Sequence, residues 1–264
     1  MIRREGEAFT YLGVVHLLTL PGAPRAGPGL AEVARRALAD ADALADGGAS
    51  GMIVENLGDA PFARTAVDAH VVAMMSVIVA EIRSRHSSLL LGVNVLRNDA
   101  VAALAIAAAA GADFVRVNVL AGAVVADQGV VEGNAHRWLR YRREIEAEGV
   151  SLAADVRVKH AAPLGPRPLV DEAADLVHRA GASAVIVTGR ATGASADPAD
   201  ADAVRPVLGG APLWVGSGVS LANAPGWRAR VDGAIVGTAL HVNGRLDAPV
   251  DPARVVAMAR ALAL

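Results

Sequence analysis

Short runs of aliphatic and β-branched residues alternate along this chain with Ala-rich segments whose apolar positions return at helical spacing. The strand-like runs fall at 11–17, 51–56, 89–96, 114–120, 151–158, 183–189, 212–219 and 233–240. Between and after them lie helix-like segments at 30–47, 66–84, 99–110, 135–147, 169–180, 198–208, 221–230 and 252–262. A two-residue apolar period predicts strands and a 3.6-residue period predicts helices. Strand followed by helix, repeated in this way, predicts a parallel (β/α)8 TIM barrel, whose usual length of about 250 residues the chain's 264 match. No Pro/Gly/Ser linker or change in composition divides the chain, so one domain over 1–264 is expected. An open, doubly wound sheet is the other architecture with this alternation, but "GSGVSLAN" lacks the third glycine of a dinucleotide loop and no GxxxxGK occurs.

Parity within each strand sorts side chains between the helices and the barrel axis. In the fifth strand Ala154, Val156 and Val158 suit the helix side, which predicts Asp155, Arg157 and Lys159 on the inner face. In the fourth, Val115, Val117 and Val119 leave Arg116 and Asn118 inside; in the third, Val93 and Val95 leave Asn94. The second strand presents Glu55 and the first His16. These polar residues fall toward the C-terminal strand ends, where barrel enzymes place their chemistry.

Composition narrows the partners. A net charge of −2 with 3% aromatics argues against nucleic acid, which is bound by basic patches and stacking rings. The absence of cysteine removes disulfides, thiolate metal sites and a cysteine nucleophile, and fits a reducing cytoplasm. The N-terminus has no apolar run of signal-peptide length, and elsewhere Gly, Asp or Arg interrupts every run before the roughly 20 residues of a membrane span. The expectation is a cytoplasmic protein without a membrane span, its state of oligomerisation open. Codon bias toward Ala, Arg and Gly accounts for an arginine-rich chain. It does not account for the single lysine, Lys159, among 25 lysines and arginines.

Of the two cationic side chains, only the lysine amine can lose its proton inside a protein and act as nucleophile or base. Lys159 at an inward strand end, with Asp155 two pleats away, therefore reads as a catalytic pair, with Glu55 as a further proton-transfer candidate. An ion network plugging the barrel, or a lysine serving only as a point charge for phosphate, are the structural alternatives. Glycine-rich turns follow the last two strands, "VGSGVS" at 215–220 and "VGTAL" at 236–240. In barrels these loops present backbone N–H groups to a phosphate. Gly216, Ser217, Gly218, Gly237 and Thr238 are the candidate phosphate contacts, with "TGRATG" at 188–193, including Thr188, above the sixth strand. His16, Asn94, Arg116 and Asn118 are candidate substrate contacts.

The stretch 127–138, "DQGVVEGNAHRW", reads as a long polar loop over the barrel mouth, from which Asp127 and Glu132 would reach a polyol. Asp127, Glu132 and His136 do not have the spacing of a metal-binding helical pair, so no metal is expected. No cofactor is expected either. Asn56 and Asp59 in "VENLGDAPF" suit capping or turning roles.

From 92 to 143, "GVNVLRNDAVAALAIAAAAGADFVRVNVLAGAVVADQGVVEGNAHRWLRYRR", and in the blocks "VVHLLTLPGAP", "MIVENLGDAPF", "ADVRVKHAAPL", "VIVTGRATG", "VGSGV" and "VDGAIVGTAL", the chain resembles the BtpA/SgcQ family nearly end to end. The resemblance implies a barrel of the ribulose-phosphate-binding type. It implies two kinds of function: SgcQ-like members sit beside sugar-phosphate genes, whereas the name-giving cyanobacterial member is linked to photosystem I biogenesis. One departure is His241, where the family pattern leads one to expect a lysine after "GTAL". Residues and resemblance together predict an enzyme for a small phosphorylated sugar or related phosphate ester, an aldol-type lyase or an isomerase/epimerase. The alternative is a non-catalytic photosystem I assembly factor that keeps the barrel for ligand binding.

Overall fold

The structure, a computed structural model, describes residues 2, 9–165, 167–189, 191 and 193–263. Its strands are β1 (Thr10–His16), β2 (Gly51–Glu55), β3 (Leu90–Asn94), β4 (Phe114–Val117), β5 (Ala123–Ala126), β6 (Gly129–Glu132), β7 (Ser151–Val156), β8 (Ala161–Pro163), β9 (Ala184–Val187), β10 (Leu213–Val215) and β11 (Gly233–Val236). Its helices are α1 (Leu30–Asp46), α2 (Ala69–Arg85), α3 (Ala100–Ala110), α4 (Ala135–Glu144), α5 (Leu169–His178), α6 (Pro198–Val204), α7 (Ala224–Arg228) and α8 (Pro252–Ala263). Among the described residues, parallel strands close a barrel in the order β1-β11-β10-β9-β7-β4-β3-β2. The seam lies where the alternation predicts it, with Thr10 of β1 opposite Gly233 of β11.

Strand parity sorts the core into two layers. Val93, Val95, Val115, Val117, Ala154 and Val156 belong to the layer between strands and helices. Leu12, Ile53, Phe114, Ile186, Trp214 and Ile235 fill the barrel interior. There the Phe114 and Trp214 rings meet edge to face, 5.5 Å between centroids. A ring of this size withdrawn from water contributes about 4–6 kcal/mol on an area basis, an upper bound because the unfolded chain already hides part of it. Gly92, beside Phe114 in the β3–β4 register, leaves room for that ring: a Cβ at Gly92 would lie 2.3 Å from Phe114 Cζ. This apolar cluster fills the barrel interior beneath the C-terminal strand ends.

The helices follow their local signals. Asp99 caps α3 by accepting from the Ala102 N–H at 2.9 Å, and its other oxygen takes the Val67 N–H at 2.8 Å. Gly111 ends α3 with φ +71°, a left-handed value that glycine adopts without strain.

Three expectations are corrected. The stretch 127–138 is not a long loop: β5 and β6 form an antiparallel hairpin, β8 adds to its edge, and α4 begins at Ala135. Val119 and Val158 pack under this hairpin with Val131 instead of against the barrel helices. Arg157 is not on the inner face. β7 ends at Val156, Arg157 takes φ +57°, and its exposed side chain pairs with Glu172 at 3.2 Å. Strand parity applies only while the strand lasts. Among the described residues, no helix is long and apolar enough to cross a membrane.

Candidate active site

Parallel register lines up the C-terminal ends of three adjacent strands, with His16 opposite Glu55 and Glu55 opposite Asn94. Asn94 Nδ2 donates to Glu55 Oε2 at 2.6 Å, and both side chains are buried. On the next two strands, β4 and β7, and at Asn118 just past β4, stands a second polar group. Arg116 donates through Nε to Asp155 Oδ1 at 2.9 Å and through Nη2 to Oδ2 at 3.0 Å, and Asn118 Nδ2 adds a donor to Oδ2 at 2.8 Å. A buried charge of either sign is costly alone, and this two-point pairing satisfies both.

A cavity of about 190 Å³ opens over these residues. Its polar lining is His16, Glu55, Arg116 and Lys159, and the glycine turns contribute Gly216, Ser217, Gly218, Gly237 and Thr238. Gly193 lines it as well, while Arg190 and Thr192 of the 188–193 segment lie outside the described residues. The two glycine turns thus share one small space with the lysine and the carboxylate.

The turns differ in what they offer an anion. The Gly216 N–H is committed to the Val187 carbonyl at 3.0 Å, which corrects its expected place among the phosphate donors. The Ser217, Gly218 and Thr238 amides have no partner among the described residues. Gly218 has φ +71°, and a Cβ on it would lie 2.2 Å from the Ala194 carbonyl oxygen. Gly237 clears the other side, where a Cβ would lie 2.8 Å from His16 Cε1. Ser217 Oγ reaches the Ala191 and Ala194 carbonyls at 3.4 Å, tying its turn to the segment after β9.

Burial and charge set the protonation states. Burial pushes the Lys159 amine down from the 10.5 of a free lysine; Glu55 and Asp155 oppose that, while Arg116 and Arg97 reinforce it, and the net shift is downward. Burial raises the Glu55 carboxyl, but Lys159, His16, Arg116 and the Asn94 hydrogen bond outweigh it and hold the group below the ordinary carboxylate range. Burial pushes His16 down to about 3 against the pull of Glu55, so its ring is neutral at physiological pH. The wall therefore combines an anionic carboxylate, a neutral imidazole, a fixed guanidinium and an amine that loses its proton more readily than a free one.

Other expected contacts stand elsewhere. Asn94 stands behind Glu55, and Asp155 and Asn118 edge a neighbouring cavity of about 460 Å³. Thr188 Oγ1 donates to the Arg157 carbonyl at 2.9 Å and is absent from the cavity wall. Asp127 is exposed at the hairpin turn, accepting from Gln128 Nε2 at 2.7 Å. Glu132 lines a separate outer groove with His136. The hairpin that replaces the expected loop carries both acids away from the cavity. Among the described residues, no cluster of three or more His, Asp or Glu side chains is disposed to hold a metal.

Sequence reasoning missed two supports. Arg97 is buried just after β3 and donates through Nη2 to the Lys159 carbonyl at 2.5 Å, which fixes the backbone that carries the amine. His241 is buried behind His16, with its Nε2 2.9 Å from His16 Nδ1. Arg97 looked like one arginine among many; at His241 the only signal was the departure from an expected lysine. Asn56 and Asp59 are structural but do not cap: Asn56 Oδ1 takes the Leu96 N–H, Asp59 takes the Leu20 N–H, and Asn56 Nδ2 donates to Asp59 within the turn.

Known proteins agree with this architecture. A Mycobacterium tuberculosis tryptophan synthase structure superposes with a TM-score of 0.61 at 19% identity, covering 98% of this chain and 94% of that one. The N-(5'-phosphoribosyl)anthranilate isomerase of Pyrococcus furiosus gives a TM-score of 0.59 at 13% identity, covering 97% and 98%. At such identities the likeness is one of fold. In sequence, the photosystem I biogenesis protein BtpA of Synechocystis sp. is 44% identical over 96% of this chain and 87% of its own length. An uncharacterised protein of Thermococcus kodakarensis is 43% identical over 89% of this chain and 88% of its own. The BtpA family model matches residues 8–263, and the chain belongs to the BtpA family.

Proposed function

We propose that the cavity is the active site of an enzyme that acts on a small phosphorylated sugar or related phosphate ester, by aldol-type cleavage or by isomerisation through an enediolate. The observation that carries this reading is the convergence on one cavity of the 216–218 and 237–238 turns with Lys159, Glu55, His16 and Arg116. The amides of Ser217, Gly218 and Thr238, unpartnered among the described residues, receive the phosphate, which fixes one end of the substrate and brings its carbonyl to the polar wall. In aldol chemistry the neutral Lys159 amine adds to the carbonyl carbon, the oxygen leaves as water after taking up one proton from solvent, and the resulting iminium accepts the electron pair of the bond between its α and β carbons, which breaks to leave an enamine. In isomerisation the same amine removes a carbon-bound proton and Arg116 faces the enediolate oxygen. Glu55, held ionised, accepts a hydroxyl proton in either course. Asp155 keeps Arg116 in place, a positioning role in preference to proton transfer, because three donor hydrogens already occupy its oxygens.

The test is incubation with a panel of aldose and ketose phosphates in deuterated water, followed for cleavage, isomerisation and deuterium incorporation. Turnover or exchange that requires Lys159 supports the reading. The 44% identity to a photosystem I biogenesis protein favours a second one, a barrel that binds its ligand without transforming it. Tight phosphate-ester binding with neither turnover nor exchange would select that alternative.

A further inference from the structure

Behind the polar wall runs a chain of hydrogen bonds whose direction is fixed at its far end. The Ala248 carbonyl lies 2.7 Å from His241 Nδ1, and a carbonyl oxygen can only accept, so His241 carries its proton on Nδ1. His241 is fully buried, and burial pushes its ring below the ordinary histidine value, so the ring is neutral and its Nε2 holds a lone pair. That lone pair faces His16 Nδ1 at 2.9 Å, so Nδ1 of His16 must carry the proton and donate. His16 Nε2 is then left unprotonated. It makes no hydrogen bond among the described residues, and its ring edge faces Gly237, whose missing Cβ opens the approach from the cavity.

We propose that His16 meets the ligand as an obligate hydrogen-bond acceptor, that His241 is the positioning residue that fixes this tautomer, and that the ligand therefore carries a hydroxyl next to its phosphate-bearing end. The proposal rests on reading the cavity as a phosphate-ester site. A carbonyl or fully ionised phosphate oxygen at His16 Nε2 would set lone pair against lone pair, whereas a hydroxyl supplies the missing hydrogen. The ring is neutral, so it orients that hydroxyl without acting as a general acid at neutral pH. Specificity follows from the unmet acceptor, because a buried site built for one hydrogen bond rejects an analogue that cannot make it.

Two measurements decide the matter. Nitrogen-15 spectra of histidine-labelled protein at pH 7, with His16 assigned by its loss in His16→Gln, should show His16 protonated on Nδ1 and bare on Nε2. An Nε2–H tautomer or an imidazolium would overturn the proposal without any ligand. His241→Phe should remove the bias and let both tautomers appear, a change that mere structural support would not produce; if this variant fails to fold, the wild-type spectrum still decides. Calorimetric titration then compares glycerol 1-phosphate with propyl phosphate, which lacks the hydroxyls. The wild type should bind the first about tenfold more tightly or better, and His16→Phe should erase the difference. Equal affinity in the wild type overturns the acceptor role and leaves the phosphate site standing. No affinity for either ester overturns both.

Discussion

Arg116 and Asp155 are joined at two points across adjacent strands, Nε to Oδ1 at 2.9 Å and Nη2 to Oδ2 at 3.0 Å, with both side chains nearly inaccessible to water. Asp155→Ala would strand a guanidinium under the cavity floor. Breaking a buried pair from one side costs about 3–5 kcal/mol, and urea denaturation should show a loss of that size. A change below about 1 kcal/mol would mean that solvent reaches the pair freely.

Lys159→Arg keeps the charge but removes the chain's one lysine amine. Turnover should fall by a factor of about 10² to 10⁴ while phosphate-ester affinity changes little. Borohydride added with substrate should leave a stable adduct on wild-type Lys159 if the chemistry is covalent, and none if the amine acts only as a base. Substantial turnover by the arginine variant would defeat both roles.

The lowered Lys159 value also sets a pH dependence. Between that value and the 10.5 of the unfolded chain, the unfolded state binds more protons, so this group makes stability rise with pH through the window; below it the charged, desolvated amine costs the fold its full penalty. Activity that needs the neutral amine should rise with pH through the same lowered value. A midpoint at or above 10.5 in the pH profile would contradict the burial of this amine.

Gly218 combines φ +71° with a carbonyl oxygen where a Cβ would go. Gly218→Ala should cost about 1–3 kcal/mol of stability and displace the turn. Gly218→Asp should in addition abolish affinity for inorganic phosphate, since a carboxylate would enter the proposed anion site. Unchanged phosphate binding in the aspartate variant would move the anion elsewhere.

His16, Glu55 and Arg116 were legible as inward polar positions among β-branched neighbours, and the two glycine turns as features of the last strands; Lys159 lines the cavity from beyond the end of β7, where strand parity no longer applies. Arg157 was not, because a single left-handed residue after Val156 ended the pleat and turned its side chain out to Glu172. Asp127 and Glu132 were misplaced because the hairpin that carries them is held partly by β8, a strand too short to announce itself.

What the sequence determined by itself is the alternation of strands and helices, the closing pair β1 and β11, and the face on which most strand residues lie. These follow from short-range periodicity, since successive strand side chains must point to opposite faces and apolar ones must leave water. Tertiary structure alone decided that His241 stands behind a histidine 225 residues away, that Arg97 pins the carbonyl of Lys159, and that Asp155 spends its oxygens on Arg116 and Asn118. Such contacts depend on where the closed barrel brings strand ends and loops together, a distance through space on which no local period bears.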